Sequence, residues 1–334
     1  MVIEFSDNQI RQAVDAEAAF LAWRDARRAA QEVRGTMFWR EQSGRQYLIR
    51  RSTTGGQTSL GPRSLETEAL FERFTARKSS TESREKALRE RLEEHRRMNR
   101  ALGLGRMSST VVDVLSALDS HGLADQFRVV GTHALFAYAA AARVHLSADA
   151  TATQDVDLLF DMRRRVKFVR TMAAADKSLL QVIRSADSTF ELRPDQLYTA
   201  ANARGFEVDV IRRVATGEDP YPMRMSEAED DFWAAQVDSG DRLQDGGLMN
   251  QVVIATNGAM ALMRTVSPGV FCKVKLAVAS NSDRDPGKAR RDRAQADLVR
   301  SLVANYLPQW REGLGDRPEQ QDQDQDGPSL GPRA

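Results

Sequence analysis

The chain has 334 residues, 41% hydrophobic and 28% charged, and 48 Lys and Arg against 47 Asp and Glu leave a net charge of +1. That length accommodates two domains with sizeable cores, and the charge balance gives no global attraction to nucleic acid. The single cysteine, Cys272, excludes an internal disulfide and a cysteine zinc site.

No run of about 18 apolar residues is present, so no membrane-spanning helix is expected. The opening M-V-I-E-F-S-D-N-Q has no signal-peptide pattern, and the expectation is a cytoplasmic protein.

In chain order, residues 10–33 are rich in Ala, Arg and Glu and predict a helix. T-M-F-W-R-E-Q-S-G-R-Q-Y-L-I-R-R (36–51) predicts a hairpin turning at Ser43-Gly44. T-T-G-G-Q-T-S-L-G-P-R (53–63) is glycine-rich and reads as a loop. A charged helix is predicted from 64 to 100. Its second half offers only Leu88, Leu92 and Met98 for burial, so it reads as a solvated arm. Gly103 and Gly105 mark a linker.

Beyond it, positions 111, 112, 115 and 118 are apolar at helical spacing. A strand at 127–130, a helix at 133–143, a strand at 156–160 and a basic helix at 163–174 follow. Further strand signals fall at 181–184, 197–201 and 206–211. From 226 on come β-prone runs at 251–255 and 259–264 and two helices, 269–279 and 286–306, before a polar tail containing Q-Q-D-Q-D-Q-D-G-P.

The expected class is α/β (α+β), a mixed sheet flanked by helices. The expected organisation is an N-terminal helix, hairpin and charged helix (1–106), a core (107–225), a C-terminal helical region (226–312) and a disordered tail (313–334).

Asp155 and Asp157 stand inside an apolar run, D-V-D-L-L-F. On a strand, alternate residues share a face, which sets these carboxylates side by side, roughly 5–7 Å apart. They repel by about 1 kcal/mol or more in a partly dry place, and one is pushed towards protonation unless a cation intervenes. Mg²⁺ suits such hard oxygen ligands. A solvated strand face is the plainer explanation of a lone D-x-D.

G-F-E-V-D-V-I supplies a second acidic strand, where Glu207 and Asp209 share a face and one of them suffices as a third ligand. Three carboxylates on neighbouring strands suit two-metal phosphoryl or nucleotidyl transfer. Gly131 permits close backbone approach to a phosphate. Thr132 opens the following helix, where its hydroxyl and free N–H groups can hold an anion or serve as an ordinary cap. His133 reads as structural or capping.

The order strand, Gly-Thr, helix, D-V-D, V-D-V resembles the DNA polymerase β-like nucleotidyltransferase superfamily. The closer resemblance is to a bacterial branch with G-T-x-A-L-x-A-Y before A-T-x-D-x-D-L-L. That branch also carries Y-L-x-R-R…S-L-G-P-R, here Tyr47–Arg51 and Ser59–Arg63, and R-D-P-x-K-x-R-R-D, here Arg284–Asp292. The family usually has Ser after the glycine, and Thr132 keeps the hydroxyl.

The resemblance implies a polymerase β-like fold, metal ligation by Asp155, Asp157 and Asp209, and nucleotide phosphate contacts from Gly131 and Thr132. It also implies Mg²⁺ as cofactor, two ions, with Mn²⁺ as a substitute. Related AbiE-type toxin transferases use a lysine and an aspartate on later helices. Lys275 and Asp292 are the best candidates, with Lys273 and Asp297 as alternatives.

The expected activity is transfer of NMP from an NTP to an acceptor with release of pyrophosphate. RNA is the first expectation for the acceptor, tRNA in a toxin or phage-defence setting with an antitoxin partner. Protein nucleotidylation (AMPylation) comes second, and a nuclease or a non-catalytic nucleotide-binding module are rivals. The basic runs at 163–167 and 284–293 and the Arg-rich N-terminal segment are the expected RNA phosphate contacts.

Overall fold

The computed structural model describes residues 2–314; from residue 315 the expected tail lies outside the described residues. By contact the chain divides into two compact units, one ending at Val266 and one beginning at Ser267.

The first unit opens with β1 (Val2–Glu4), α1 (Asp7–Glu32), β2 (Thr36–Gln42), β3 (Arg45–Arg51), β4 (Gln57–Pro62) and the long α2 (Leu65–Ala101). Ser6 and Ser64 start the two helices, each in a capping box with the residue three positions on, Gln9 and Thr67. The segment 53–63, expected as loop, contains β4, which pairs with β3 across a bulge between Leu48 and Ile49. Its residues are almost all exposed, so no polar–apolar alternation betrays it.

Next come α3 (Ser109–Ser120), β5 (Phe127–Val130), α4 (Ala134–Ala142), β6 (Val144–Leu146), α5 (Ala148–Thr151) and β7 (Asp155–Phe160). They are followed by α6 (Arg165–Ala175), α7 (Leu179–Arg184), β8 (Glu191–Arg193), β9 (Gln196–Ala201), β10 (Glu207–Arg213), β11 (Ala235–Val237), α8 (Gly240–Asp245), β12 (Leu248–Ile254) and β13 (Met260–Val266).

The strand expected at 181–184 is the helix α7. Ser178 and Gln181 form a capping box there, and the buried Asp231 accepts from the N–H groups of Leu179 and Leu180 at 3.0 and 2.9 Å. With its first donors satisfied, the turn overrides the β-propensity of Val182 and Ile183.

The main sheet has the order β12-β13-β5-β7-β10-β9-β8, with β11 also pairing to β10. β7 and β10 are central and parallel, while β5 and β9 flank them antiparallel. Val156, Leu158, Val208 and Val210 turn inward and are fully buried. Beneath them Phe127, Phe160 and Phe168 pack with ring centroids 5.0–6.0 Å apart. The sheet is therefore a two-faced plate, with an apolar face that fixes the strands and a second face on which their alternate residues project.

The second half of α2, expected as a solvated arm, instead packs along α1 and is tied to the sheet through polar side chains. Met98 is about half exposed, while His95 and Asn99 are buried. Gln12 donates to Asn99 Oδ1 at 2.9 Å, and Asn99 Nδ2 donates to the Gly258 carbonyl, in the β12–β13 turn, at 3.2 Å. Arg24 pairs with Asp119 of α3 at 2.7 Å. The signal was missed because burial here is carried by amides rather than by leucines.

The second unit contains α9 (Pro268–Ala279) and α10 (Pro286–Tyr306), which pack on each other, and a final 3₁₀ turn, Pro308–Leu314. The Cys272 thiol, buried between the helices, donates to the Ala296 carbonyl at 3.4 Å, and burial pushes its pKa up to about 11. It is a packing residue, inert at neutral pH.

Because Asn99 joins α1, α2 and the β12–β13 turn, Asn99→Leu removes the donor to the Gly258 carbonyl and one of the acceptors of the Gln12 amide, which keeps only His95. The expected cost is about 2–4 kcal/mol in urea unfolding, with faster tryptic cleavage within α2.

Candidate active site

The site follows from register. β7 and β10 pair in parallel so that Glu207 lies beside Asp155 and Asp209 beside Asp157. β5 brings Val130 opposite Asp157, and β9 brings Thr199 opposite Asp209. With the valines and leucines of both strands buried, all four acids project from the other face, each half-buried.

Three of them converge. Asp155, Asp157 and Asp209 each offer a carboxylate oxygen within 4.8 Å of the other two. Glu207 is drawn aside by Arg193 at 2.7 Å, which decides between the two acids of β10. Asp209 is oriented by Thr199, whose hydroxyl donates at 2.6 Å. Asp155 accepts from the Thr153 hydroxyl. Burial raises the Asp209 pKa above the usual carboxylate value; the Thr199 hydrogen bond opposes this, and the neighbouring Asp155 and Glu207 add to it.

Like charges directly beside one another on paired strands are destabilising, and here the fold holds three of them. Half-buried oxygens at this spacing match a hard divalent cation, which takes carboxylate ligands in preference to nitrogen or sulfur.

Gly131 and Thr132 form the turn between β5 and α4. Gly131 has φ +65°, and a Cβ built there would collide with Asp157 Oδ2. The glycine thus makes room for an acid of the site, a role that the expected phosphate approach did not include. Thr132 lies half-buried in the same turn.

His133 occupies the N-cap position of α4 and makes no side-chain cap. It is buried, with the Phe136 ring tilted beside it and the Phe206 ring edge-on, centroids 5.7 and 6.1 Å away, which is a packing place close to the site. Burial lowers its pKa to about 4, so the ring is neutral at pH 7.

Lys275 and Asp292 belong to the second unit, where they meet each other. Lys275 Nζ lies 2.7 Å from Asp292 Oδ1, and Arg284 holds Oδ2, also at 2.7 Å. Asp292 is buried. Of the alternatives, Lys273 is exposed and Asp297 is an exposed partner of Arg300 at 3.6 Å.

Sequence reasoning missed the two threonines. Thr199 is legible only once the β9–β10 register is known, because nothing in Q-L-Y-T-A-A singles it out.

An antiparallel and parallel mixture around a D-x-D strand, with an acid on the next strand and a Gly-Thr turn beside it, defines a nucleotidyl-transferring architecture. A family model described as Nucleotidyltransferase matches residues 109–312, and the chain belongs to that family. It is a nucleotidyltransferase enzyme, for which an NTP is the substrate. No curated protein and no solved structure matches the chain.

Two outcomes are expected. Gly131→Ala, which adds a Cβ at positive φ against Asp157, lowers kcat by about 100-fold or more in a transfer assay, the scale of an ångström-level misplacement, while the circular dichroism spectrum stays that of the wild type. For His133, the folded-state pKa near 4 lies below the unfolded value of 6.5. Its contribution is complete above pH 6.5 and is lost as pH falls from 6.5 towards 4, at most on the order of 3 kcal/mol. Urea midpoints across that interval, compared with His133→Gln, check this; the variant should lose most of the pH slope.

Proposed function

We propose that the chain is a Mg²⁺-dependent enzyme that transfers a nucleoside monophosphate from an NTP to RNA, with Asp155, Asp157 and Asp209 as the metal-binding and catalytic acids. The observation that carries this reading is the convergence of those three carboxylates within 4.8 Å on two paired strands that lie within the residues the family model matches.

Asp155 and Asp157 would hold the divalent metal, with two ions as the proposed number, and Gly131 leaves the space in which the Asp157 carboxylate sits. A bound divalent ion supplies neutralisation of the charge on the transferring phosphate and lowers the pKa of an attacking hydroxyl. Asp209, fixed by Thr199, polarises the acceptor hydroxyl and takes up its proton. The acceptor oxygen bonds the α-phosphorus, the α–β anhydride bond breaks, and pyrophosphate leaves. Thr132 contacts the nucleotide phosphates. Lys275, kept in place by Asp292, is the second unit's proposed phosphate ligand.

The reading favours a nucleic-acid acceptor such as tRNA, in keeping with the resemblance to AbiE-type toxin transferases, and a cellular setting that includes an antitoxin. The protein would act in the cytoplasm; among the described residues no helix is long and apolar enough to cross a membrane.

The test supplies each α-³²P-labelled NTP in turn with Mg²⁺, total RNA and lysate protein, and compares wild type with Asp157→Ala on gels that separate RNA from protein. Label on RNA from wild type, reduced at least about 1,000-fold in the variant, is expected. Label on protein alone would replace RNA by a protein acceptor. No label from any NTP, without metal-dependent nucleotide binding, would sink the reading of the acids.

A further inference from the structure

The three-stranded sheet β2-β3-β4 precedes the residues matched by the family. One of its faces packs on α2: Trp39 meets Phe71 with centroids 5.9 Å apart, Arg50 lies over Phe74, and Leu48 is fully buried.

The pairing register fixes what the opposite face presents, because directly paired residues share a face. Thr36 pairs with Arg51, Phe38 with Ile49, Arg40 with Tyr47 and Gln42 with Arg45. That outer face therefore carries Arg40, Arg45 and Arg51, all exposed, around the half-exposed Phe38 and Tyr47. The guanidinium carbons of Arg40 and Arg51 lie 5.6 and 5.0 Å from the Phe38 ring centroid. Its other positions, Thr36, Gln42, Ile49, Gln57, Ser59 and Pro62, bring no carboxylate.

Among the described residues none of these three arginines is in an ion pair; the one polar partner of Arg40 is the neutral Gln57. In the other basic stretches several cations are already engaged, Arg163 by Asp161 and Asp245, Lys167 by Asp125, and Arg284 by Asp292. On this face of the hairpin sheet three arginines stand together without a carboxylate partner, two of them beside an aromatic ring, in a chain whose overall charge is nearly zero.

We infer that this outer face is a docking surface for a single-stranded segment of RNA, resting on the reading of RNA as the acceptor. Arginines meet phosphates in bidentate fashion and stack on bases, and Phe and Tyr side chains on an open sheet offer platforms to bases of any identity. An acid-free face with three guanidinium groups that no carboxylate engages is complementary to a polyanion.

The sheet meets α2 at Phe71 and Phe74, whereas α2 is fastened to the main sheet at Asn99. The 25 residues of helix from Phe74 to Asn99 span about 38 Å at 1.5 Å per residue, so the face is carried on a spacer of that length.

The experiment measures fluorescence anisotropy of a labelled single-stranded RNA of about 20 nucleotides with the full chain, without NTP, over a range of salt concentrations. Wild type is compared with Arg40→Gln/Arg45→Gln/Arg51→Gln and with Phe38→Leu, and circular dichroism and melting temperature serve as fold controls. The triple variant is expected to bind roughly tenfold or more weakly, with a slope of log K against log salt shallower by about 2. Phe38→Leu should weaken binding while keeping the wild-type slope, since it removes stacking and no charge.

Wild type that does not bind RNA, or a folded triple variant with unchanged affinity and slope, overturns the inference. So does wild type that ignores RNA and binds polyglutamate through the same arginines, which would assign the face to an acidic protein. The acceptor reading fails separately. RNA bound through the sheet, with label transferred only to protein, sinks the acceptor and keeps the docking surface. Label on RNA, with the triple variant binding as wild type, does the reverse.

Discussion

The structure depends on the side-by-side placement of β7 and β10. Their parallel pairing puts Asp155 next to Glu207 and Asp157 next to Asp209, an arrangement that costs free energy through like-charge repulsion and partial desolvation. What offsets it lies on the other face of the same strands, where Val156, Leu158, Val208 and Val210 are fully buried. Each such side chain contributes about 1.5–3 kcal/mol when removed from water. The alternation of the strand separates the two tasks: odd positions carry the charges and even positions anchor them.

The surroundings then sort the four acids. Arg193 takes Glu207, Thr199 and Thr153 aim Asp209 and Asp155, and the missing side chain of Gly131 leaves space for Asp157. Neutral hydroxyls orient two of the carboxylates without cancelling their charge. His133 follows the same logic, since burial keeps its ring neutral at pH 7 and so adds no charge beside the acids.

Much of this was legible in the sequence for a physical reason. D-V-D-L-L-F and E-V-D-V-I announce two-faced strands by their period of two, and α10 (Pro286–Tyr306) follows from Asp285-Pro286 at its start. The residues alone leave Glu207 and Asp209 open and the resemblance points to Asp209; the physical reason, Arg193 on β8 engaging Glu207, is not legible, because strand register is a tertiary property. The failures have similar causes. β4 looks like loop in the sequence because an exposed strand shows no alternation. α7 looks like strand there because Asp231, 52 residues after Leu179, supplies the hydrogen bonds that commit it to a helix. The packing of α2 escaped because its anchors, His95 and Asn99, are polar.

The long helix α2 has a consequence of its own. A rigid α-helix converts residue count into angle as well as distance, about 100° for each residue. Between Phe74 and Asn99, losing one residue would turn the hairpin sheet by more than a quarter of a circle about the helix axis while moving it by only about 1.5 Å. Length changes that preserve the facing of the sheet come in steps near whole numbers of turns, with a matching change in α1. The spacer is thus quantised by helical phase, and the direction in which the sheet looks is far more sensitive to insertion or deletion than its reach.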